Sequence, residues 1–334
     1  MSKVRWGVLG VAKIALDKFL PPTTVSAVAE VVAIASRSID KARAAAARFG
    51  VPRAYGSYDE LLADPRIDAV YNPLPNHLHV PWTVRALEAG KHVLCEKPIA
   101  LDAAEARTLL DARARTGRLV QEAVMVKTHP RWLEARALVH AGRIGELRAV
   151  QGYFSYHNVA PENVRNQADL GGGGLLDIGF YPITMTRFLF GAEPTRVVGA
   201  LERDPRFGVD RLASAILEFP GGGQAVFTCA TQLAGGQSFT AHGTRGHLSL
   251  PVPWSAPADG PSLLLLDDGT SPTDPHPQRI AIPACDQWGL HVDGFSVAIR
   301  DGAPAPVPIE DAVANMQVID AIFRSSRTGR WETS

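Results

Sequence analysis

Residues 4–15, VRWGVLGVAKIA, run from an apolar strand-like segment through small residues into a helical pattern. Within them Gly10-Val11-Ala12-Lys13-Ile14-Ala15 matches G-x-G-x-x-G/A with alanine at the second position. Small residues in such a turn let backbone approach a pyrophosphate closely, and the helix that follows offers amide donors and the positive end of its dipole. Gly10, Ala12, Lys13 and Ile14 are therefore candidates for holding a dinucleotide, with Ala12 loosening the approach slightly.

The same strand-then-helix grammar continues to about residue 120. VVAIASRS is followed by DKARAAAARFG, AVYNPLP by VPWTVRALEAG and HVLCEKP by DAAEARTLLDARARTG, and LVQEAVMV closes the series. Alternation of this kind predicts a parallel sheet covered by helices on both faces. Gly50, Gly90 and Gly117 follow amphipathic runs where a left-handed cap is wanted, and Ser57 and Asp102 each precede a glutamate by three residues, as in a capping box. After Val126 the pattern changes. HPRWLEARALVHAGRIG reads as one helix, and strands without intervening helices follow: LRAVQGYFSYH, TRVVGALERD, DRLASAILEF, GQAVFTCATQL, QSFTAHGT, HLSLPV, SLLLLDD and RIAIPA. Gly221-Gly222-Gly223 and Gly235-Gly236 are read as turns between them. LLDIGFYPITMTRFLFG and two C-terminal runs are read as helices. The fold class is thus α/β: a doubly wound parallel sheet over 1–122, then an α+β domain with a mostly antiparallel sheet over 123–334.

At 334 residues the chain exceeds one typical core, in keeping with two domains. Its 34 basic and 34 acidic side chains cancel, so no long-range field recruits nucleic acid or an anionic membrane, and the expected partner is a small molecule. Cys95, Cys229 and Cys285 are scattered, with no metal-binding spacing, and are read as packing residues in a reducing compartment. No metal is expected. The N-terminus lacks the pattern of a secretory leader and no apolar run reaches the length of a membrane span, so a cytoplasmic protein is expected.

The second strand addresses which dinucleotide. For NAD an acidic residue about 20 positions beyond the glycines holds the ribose 2′-hydroxyl. Here the strand ends in Ser36-Arg37-Ser38, with Lys41 a helical turn further on. A hydroxyl, a guanidinium fork and an ammonium suit a 2′-phosphate, so NADP is favoured over NAD. Further along, Lys91–Ile99, KHVLCEKPI, drives an apolar strand into Glu96-Lys97-Pro98 at the carboxyl edge of the sheet. Pro98 restricts the residue before it, so Lys97 is held in a fixed direction, either as a lysine that meets a cofactor or as an ordinary surface lysine at a strand end.

Taken together, GVLGVAKIA, AIASRSIDKA, YNPLPNHLHVPWTVRALEAGKHVLCEKPIA and RNQADLGGGGLLDIGFYP resemble the glucose-fructose oxidoreductase, inositol dehydrogenase and MocA family over nearly the whole chain. The resemblance implies an N-terminal Rossmann domain and a C-terminal domain for substrate binding and subunit association, as a homodimer or homotetramer through a large open sheet. It also implies that Lys97 is the active-site lysine, that Glu96 touches the nicotinamide ribose, and that Leu74, Pro75, Asn76 and His77 lie under the ribose and diphosphate. The family usually reads G-G-G-x-x-x-D-x-G-x-H, whereas this chain has Gly172 to Asp177 and then Tyr181 in place of the histidine. That tyrosine is similar to the xylose dehydrogenase, dihydrodiol dehydrogenase and sugar 3-ketoreductase branches. Arg165, Asn166 and Gln167 resemble residues that reach the substrate; Tyr156, Trp288 and His291 are further pocket candidates, and Trp82 and Trp132 are read as packing.

Asp177 and Tyr181 are four apart, hence on one face of a helix near its N-terminal end. A phenol has an ordinary pKa of about 10, which a neighbouring ammonium lowers by favouring phenolate. The expected function is hydride transfer between nicotinamide C4 and a secondary alcohol or ketone, or an anomeric carbon, of a sugar or polyol. In it Tyr181 relays the proton, Lys97 polarises the substrate oxygen, and Asp177 orients a neighbouring hydroxyl or the lysine. The alternatives are an NAD-dependent glycosidase of the same superfamily and a non-catalytic NADP-binding regulator. The Ser-Arg tip and missing histidine weigh against the first, and retention of Lys97 and Asp177 against the second.

Overall fold

Six short segments rich in Val, Ile, Leu and Ala pair in parallel: Val4–Leu9 (β1), Ala29–Ala35 (β2), Ala54–Tyr55 (β3), Ala69–Asn72 (β4), His92–Cys95 (β5) and Val120–Glu122 (β6). Their order is β3-β2-β1-β4-β5-β6, the doubly wound arrangement that reverses direction between β1 and β4. In such sheets ligands bind outside the carboxyl ends of the strands at that reversal, which here means the turns after Leu9 and Asn72. The computed structural model describes residues 2–271 and 273–334.

Helix boundaries follow the local chemistry. Gly50 and Gly117 end their helices at φ 67° and 64°, and the Ser57 and Asp102 side chains accept from the amides of Glu60 and Glu105. The two glutamates reach back one residue further than in the usual box, to the amides of Gly56 and Leu101.

The second sheet has eight strands: Leu147–His157 (β7), Arg196–Arg203 (β8), Asp210–Glu218 (β9), Gln224–Ala230 (β10), Gln232–Gly243 (β11), Gly246–Leu250 (β12), Ser262–Asp267 (β13) and Gln278–Ile282 (β14). Their order is β14-β13-β12-β11-β7-β10-β9-β8, and every neighbouring pair is antiparallel except β7 with β10. Gly235-Gly236 is not a turn. The chain reverses at Thr231, and the two glycines lie inside β11 where its register on β7 shifts between Gln232 and Gly236. Glycine runs in a strand mark such irregularities as readily as they mark turns.

Beside the expected domains 1–122 and 123–334, the chain packs as two compact units. One compact unit comprises the chain up to Thr128 together with Asp286–Val313, and the other comprises His129–Cys285 with Ala314–Ser334. The returning segment holds the Gln287–Asp301 helix, whose Val292 and Phe295 enter the same core as Trp6, Phe19 and Tyr71. Phe295 and Phe19 lie 6.0 and 5.5 Å from the Trp6 ring, and the indole Nε1 donates to Ser296 Oγ at 3.1 Å. Fully burying a phenylalanine contributes about 2–3 kcal/mol, which anchors this helix to a sheet formed nearly three hundred residues earlier. Among the described residues, no helix is long and apolar enough to cross a membrane.

Buried histidines give the fold a pH limit, and His291 and His129 show how. His291 sits between Gln121 and Thr128 in the first unit, and burial pushes it down to about 4. In the second unit His129 caps the Pro130–His140 helix: its Nδ1 accepts the Arg131 amide at 3.0 Å, and burial again pushes it down to about 4. Both folded values are depressed, so each ring stays neutral above its unfolded pKa of about 6.5 and costs nothing there. As pH falls from about 6.5 toward 4, the unfolded chain binds protons that the fold refuses, costing up to about 3 kcal/mol per ring. Calorimetry is expected to show thermal midpoints dropping steeply between pH values of about 6.5 and 4.5. A flat profile there would contradict two neutral buried rings.

Candidate active site

In the first unit the glycine turn, the tip of β2, the turn after β4 and the loop after β5 all end at the carboxyl edge of the sheet. Gly10 has φ 89°, and its amide donates to Ala35 at 2.7 Å. A Cβ there would stand 3.2 Å from Leu74 Cδ2 and 3.7 Å from the Tyr58 hydroxyl, so the turn closes on both neighbouring loops. The helix that follows opens with a π turn over Ala15–Phe19, in which the Leu20 amide reaches Ala15. Pro21 and Pro22 explain it, since neither can donate to the carbonyl four residues back. Ala12 accepts from the Leu16 amide, Ile14 is half-buried, and Lys13 is exposed and paired with Asp17.

Ser36 is buried at the tip of β2, and its hydroxyl accepts from the Ser38 amide. Arg37 is exposed and lies against Tyr58: burial pushes that phenol up while the guanidinium pulls it down. Arg37, Tyr58 and Gly10 therefore converge. Lys41 is exposed one turn along, its amide held by the Ser38 cap. In the turn after β4, Leu74 is buried, Pro75 and Asn76 are half-buried, and His77 carries a buried Nδ1 with no partner among the described residues. A positive-φ glycine, a helix N-terminus, an orphaned ring nitrogen and a cationic strand tip with no carboxylate make a donor set that fits a dinucleotide phosphate chain.

The loop bearing Lys97 has its backbone polar groups tied down. The Glu96 amide donates to Asn72 at 3.0 Å, the Lys97 amide to Glu96 Oε2 at 3.3 Å and the Ile99 amide to buried Glu122 at 2.6 Å. The Lys97–Pro98 peptide is cis. Glu96 also accepts from the Tyr71 hydroxyl at 2.6 Å, and Tyr71 stacks on Phe19 with centroids 3.9 Å apart. His79, which sits in the quoted motif but was assigned no role there, bridges the two loops. Its Nδ1 lies 2.7 Å from the Pro98 carbonyl and its Nε2 2.6 Å from that of Leu74. Burial pushes the ring down to about 4 against the pull of these carbonyls, and the Lys97 charge pushes the same way.

The second unit assembles its own cluster. Asp177 lies in a π turn, Leu175–Gly179, and Tyr181 in the Phe180–Phe190 helix after it, so the expected single helix is phased differently. Pro182, which cannot donate to Ile178, again follows the π turn. Gly152, Phe154 and Tyr156 alternate on one face of β7 and meet this helix in sequence. A Cβ on Gly152 would come 2.8 Å from Pro182, Phe154 packs edge-on to Tyr181 at 5.8 Å, and the Tyr156 hydroxyl donates to Asp177 Oδ2 at 2.6 Å. Arg165 Nε donates to the same oxygen at 2.7 Å. The Asp177 charge raises the Arg165 guanidinium against the opposing effect of burial, while burial and Asp177 push the Tyr156 phenol well up. Tyr156, Arg165, Asp177 and Tyr181 thus form one group.

Gln167 stands apart, with its amide turned back onto the carbonyls of Pro161 and Glu162. Trp132 packs on Trp254 at 5.6 Å, as a core residue does, and Trp288 and His291 belong to the first unit. Asp210 is a further support with no counterpart in the motif reading. Its buried carboxyl accepts from the Leu175 amide at 2.6 Å, and a Cβ on Gly173, at φ 125°, would strike it at 2.2 Å. Burial pushes Asp210 up to about 6.

Residues 4–124 match an oxidoreductase family with an NAD-binding Rossmann fold, and residues 132–249 match the GFO/IDH/MocA C-terminal domain. The chain belongs to the GFO/IDH/MocA oxidoreductase family. This family member is 50% identical over 333 residues to the uncharacterized oxidoreductase ORF334 of Rhizobium meliloti, with 100% of each chain covered. It is 34% identical to D-xylose 1-dehydrogenase (NADP(+)) 2 of Haloferax volcanii over 97% of this chain and 98% of that one. Among solved structures it resembles a 3-ketoreductase of Actinomadura kijaniata in complex with NADP and TDP-benzene, with TM-score 0.91 and 32% identity over 97% and 98% of the two chains.

Proposed function

We propose that this oxidoreductase uses NADP to interconvert a secondary alcohol and a ketone, or to oxidise an anomeric carbon, on a sugar or polyol. The observation that carries the reading is the convergence at one sheet edge of the Gly10 turn, the orphaned His77 nitrogen and the hydrogen-bonded Lys97 loop. The relatives that act on sugars, one with NADP in its name and one crystallised with it, support the substrate class and the cofactor.

When bound, NADP supplies hydride chemistry at its nicotinamide. Lys97 donates a hydrogen bond to the substrate oxygen and steadies the negative charge that grows there. Tyr181 carries the proton to or from that oxygen. Asp177 fixes Arg165, whose remaining N–H groups are left to donate to the adjacent hydroxyls, and Tyr156, whose hydroxyl oxygen is left only to accept. Tyr181 at the position where the family usually has histidine supports the sugar reductase and dehydrogenase branches over the inositol dehydrogenases. The test is to mix purified protein with NADP and a panel of aldoses and polyols, and NADPH with keto sugars, and follow absorbance of the reduced nicotinamide. Turnover is expected with at least one sugar; glycoside cleavage without net cofactor reduction would overturn the assignment.

Ser36 and Arg37 would hold the 2′-phosphate. Since a hydrogen bond to a charged group is worth about 1.5–3 kcal/mol, Arg37→Ala is expected to raise the KM for NADP about ten- to a hundredfold. The KM for NAD should barely move. Equal losses with both cofactors would remove Arg37 from phosphate recognition.

A further inference from the structure

Cys285, the last residue before the chain returns to the first unit, is the one thiol of the three with any exposure; Cys95 and Cys229 are fully buried. Its Sγ lies 3.5 Å from Nε2 of His129. The His129 tautomer is set by its other nitrogen: Nδ1 accepts the Arg131 amide, so the single proton of the neutral ring sits on Nε2 and points at sulfur. Arg131 is 2% exposed, and among the described residues no carboxylate lies within ion-pair distance of it. Its Nη2 donates to the Pro253 carbonyl at 2.8 Å, and its Nε is buried without a partner.

A buried guanidinium without a counter-ion is costly, and a nearby anion relieves that cost. Burial pushes Arg131 down to about 10, and a negative charge on Cys285 would raise it again. A thiolate at Cys285 would therefore receive a donated hydrogen bond from His129 and an attractive field from Arg131, the surroundings that make cysteines reactive. Burial drives the Cys95 and Cys229 thiols the opposite way, well above their ordinary range.

We propose that Cys285 is a modification site, a thiolate held by His129 and Arg131 that reacts selectively with hydroperoxides and with small alkylating electrophiles. With hydrogen peroxide, a sulfur lone pair attacks one oxygen, the S–O bond forms and the O–O bond breaks. Sulfur is oxidised to the sulfenic acid, and the departing hydroxide takes a proton from solvent to become water.

The test uses the full chain. Brief iodoacetamide treatment at neutral pH followed by peptide mass mapping is expected to label Cys285 at least tenfold faster than Cys95 or Cys229, with a pH midpoint below the value of about 8.5 of an ordinary thiol. One equivalent of hydrogen peroxide followed by dimedone should add the sulfenic acid adduct at Cys285 alone. His129→Asn keeps an acceptor for the helix cap but removes the Nε2 donor, and should raise the midpoint and slow neutral alkylation severalfold. A wild-type midpoint at or above about 8.5, equal labelling of the three thiols, or no dimedone adduct would overturn the proposal. None of these measurements depends on the redox activity, so the two can fail separately.

Discussion

Lys97→Ala is expected to lower turnover with the preferred sugar by about a thousandfold, within the range usual for removing a preorganised proton-transfer or oxyanion-stabilising group. The loop should survive the change, because its shape is set by the Glu96 and Ile99 amides and the His79 bridge and not by the lysine side chain. Cofactor affinity, measured by quenching of protein fluorescence on NADP titration, should therefore change by no more than a few fold. The split between turnover and cofactor binding is what distinguishes a group that meets the reacting oxygen from one that shapes the cofactor pocket. Losses that appear in NADP affinity, with turnover at saturation unchanged, would move Lys97 from chemistry to binding. Lys97→Arg tests the same point from another side, since it keeps the charge but replaces a compact ammonium by a planar fork.

Tyr181→Phe should reduce turnover about a hundredfold or more, the usual scale when a proton carrier is lost. Tyr181 is largely buried, and its ring packs on Phe154, Phe180 and Trp254. Phenylalanine keeps those ring contacts, so the thermal midpoint should hold while the rate falls. Its pH–rate profile should also lose the limb that reports ionisation of the phenol. Near-normal turnover in the variant would take Tyr181 out of the mechanism and leave the proton to Lys97. Tyr156 cannot stand in for it, because burial and the bond to Asp177 push its phenol well up and commit its proton.

The first sheet was legible because its strands are continuous apolar runs alternating with helices that end at left-handed glycines, signals that act over a few residues. Capping at Ser57 and Asp102 was readable for the same reason, though Glu60 and Glu105 settle one residue further back than the motif suggests. The glycine pair 235–236 was misread because a bulge and a turn demand the same conformational freedom, and only strand pairing separates them. Of the candidate site residues, Asp177, Tyr181, Tyr156 and Arg165 lie together in the second unit, and the pattern of bonds among them is invisible in the sequence. Tyr156 and Arg165 are engaged with one carboxylate oxygen, and Gln167 with its own loop. His79 and Asp210 gave no separate signal, because a histidine among apolar helix residues and an aspartate opening a strand are ordinary in themselves.

By itself the sequence determined the alternation of strands and helices, the cationic tip of β2 and the Glu-Lys-Pro turn, since each depends on side-chain period or on neighbours within a few positions. Tertiary structure alone decided that Asp286–Val313 folds back into the first unit, that His79 bridges the turns after β4 and β5, and that the Cys285 sulfur lies beside His129. These outcomes turn on which distant surfaces exclude water together and which buried polar atoms find partners, and no local pattern carries that information.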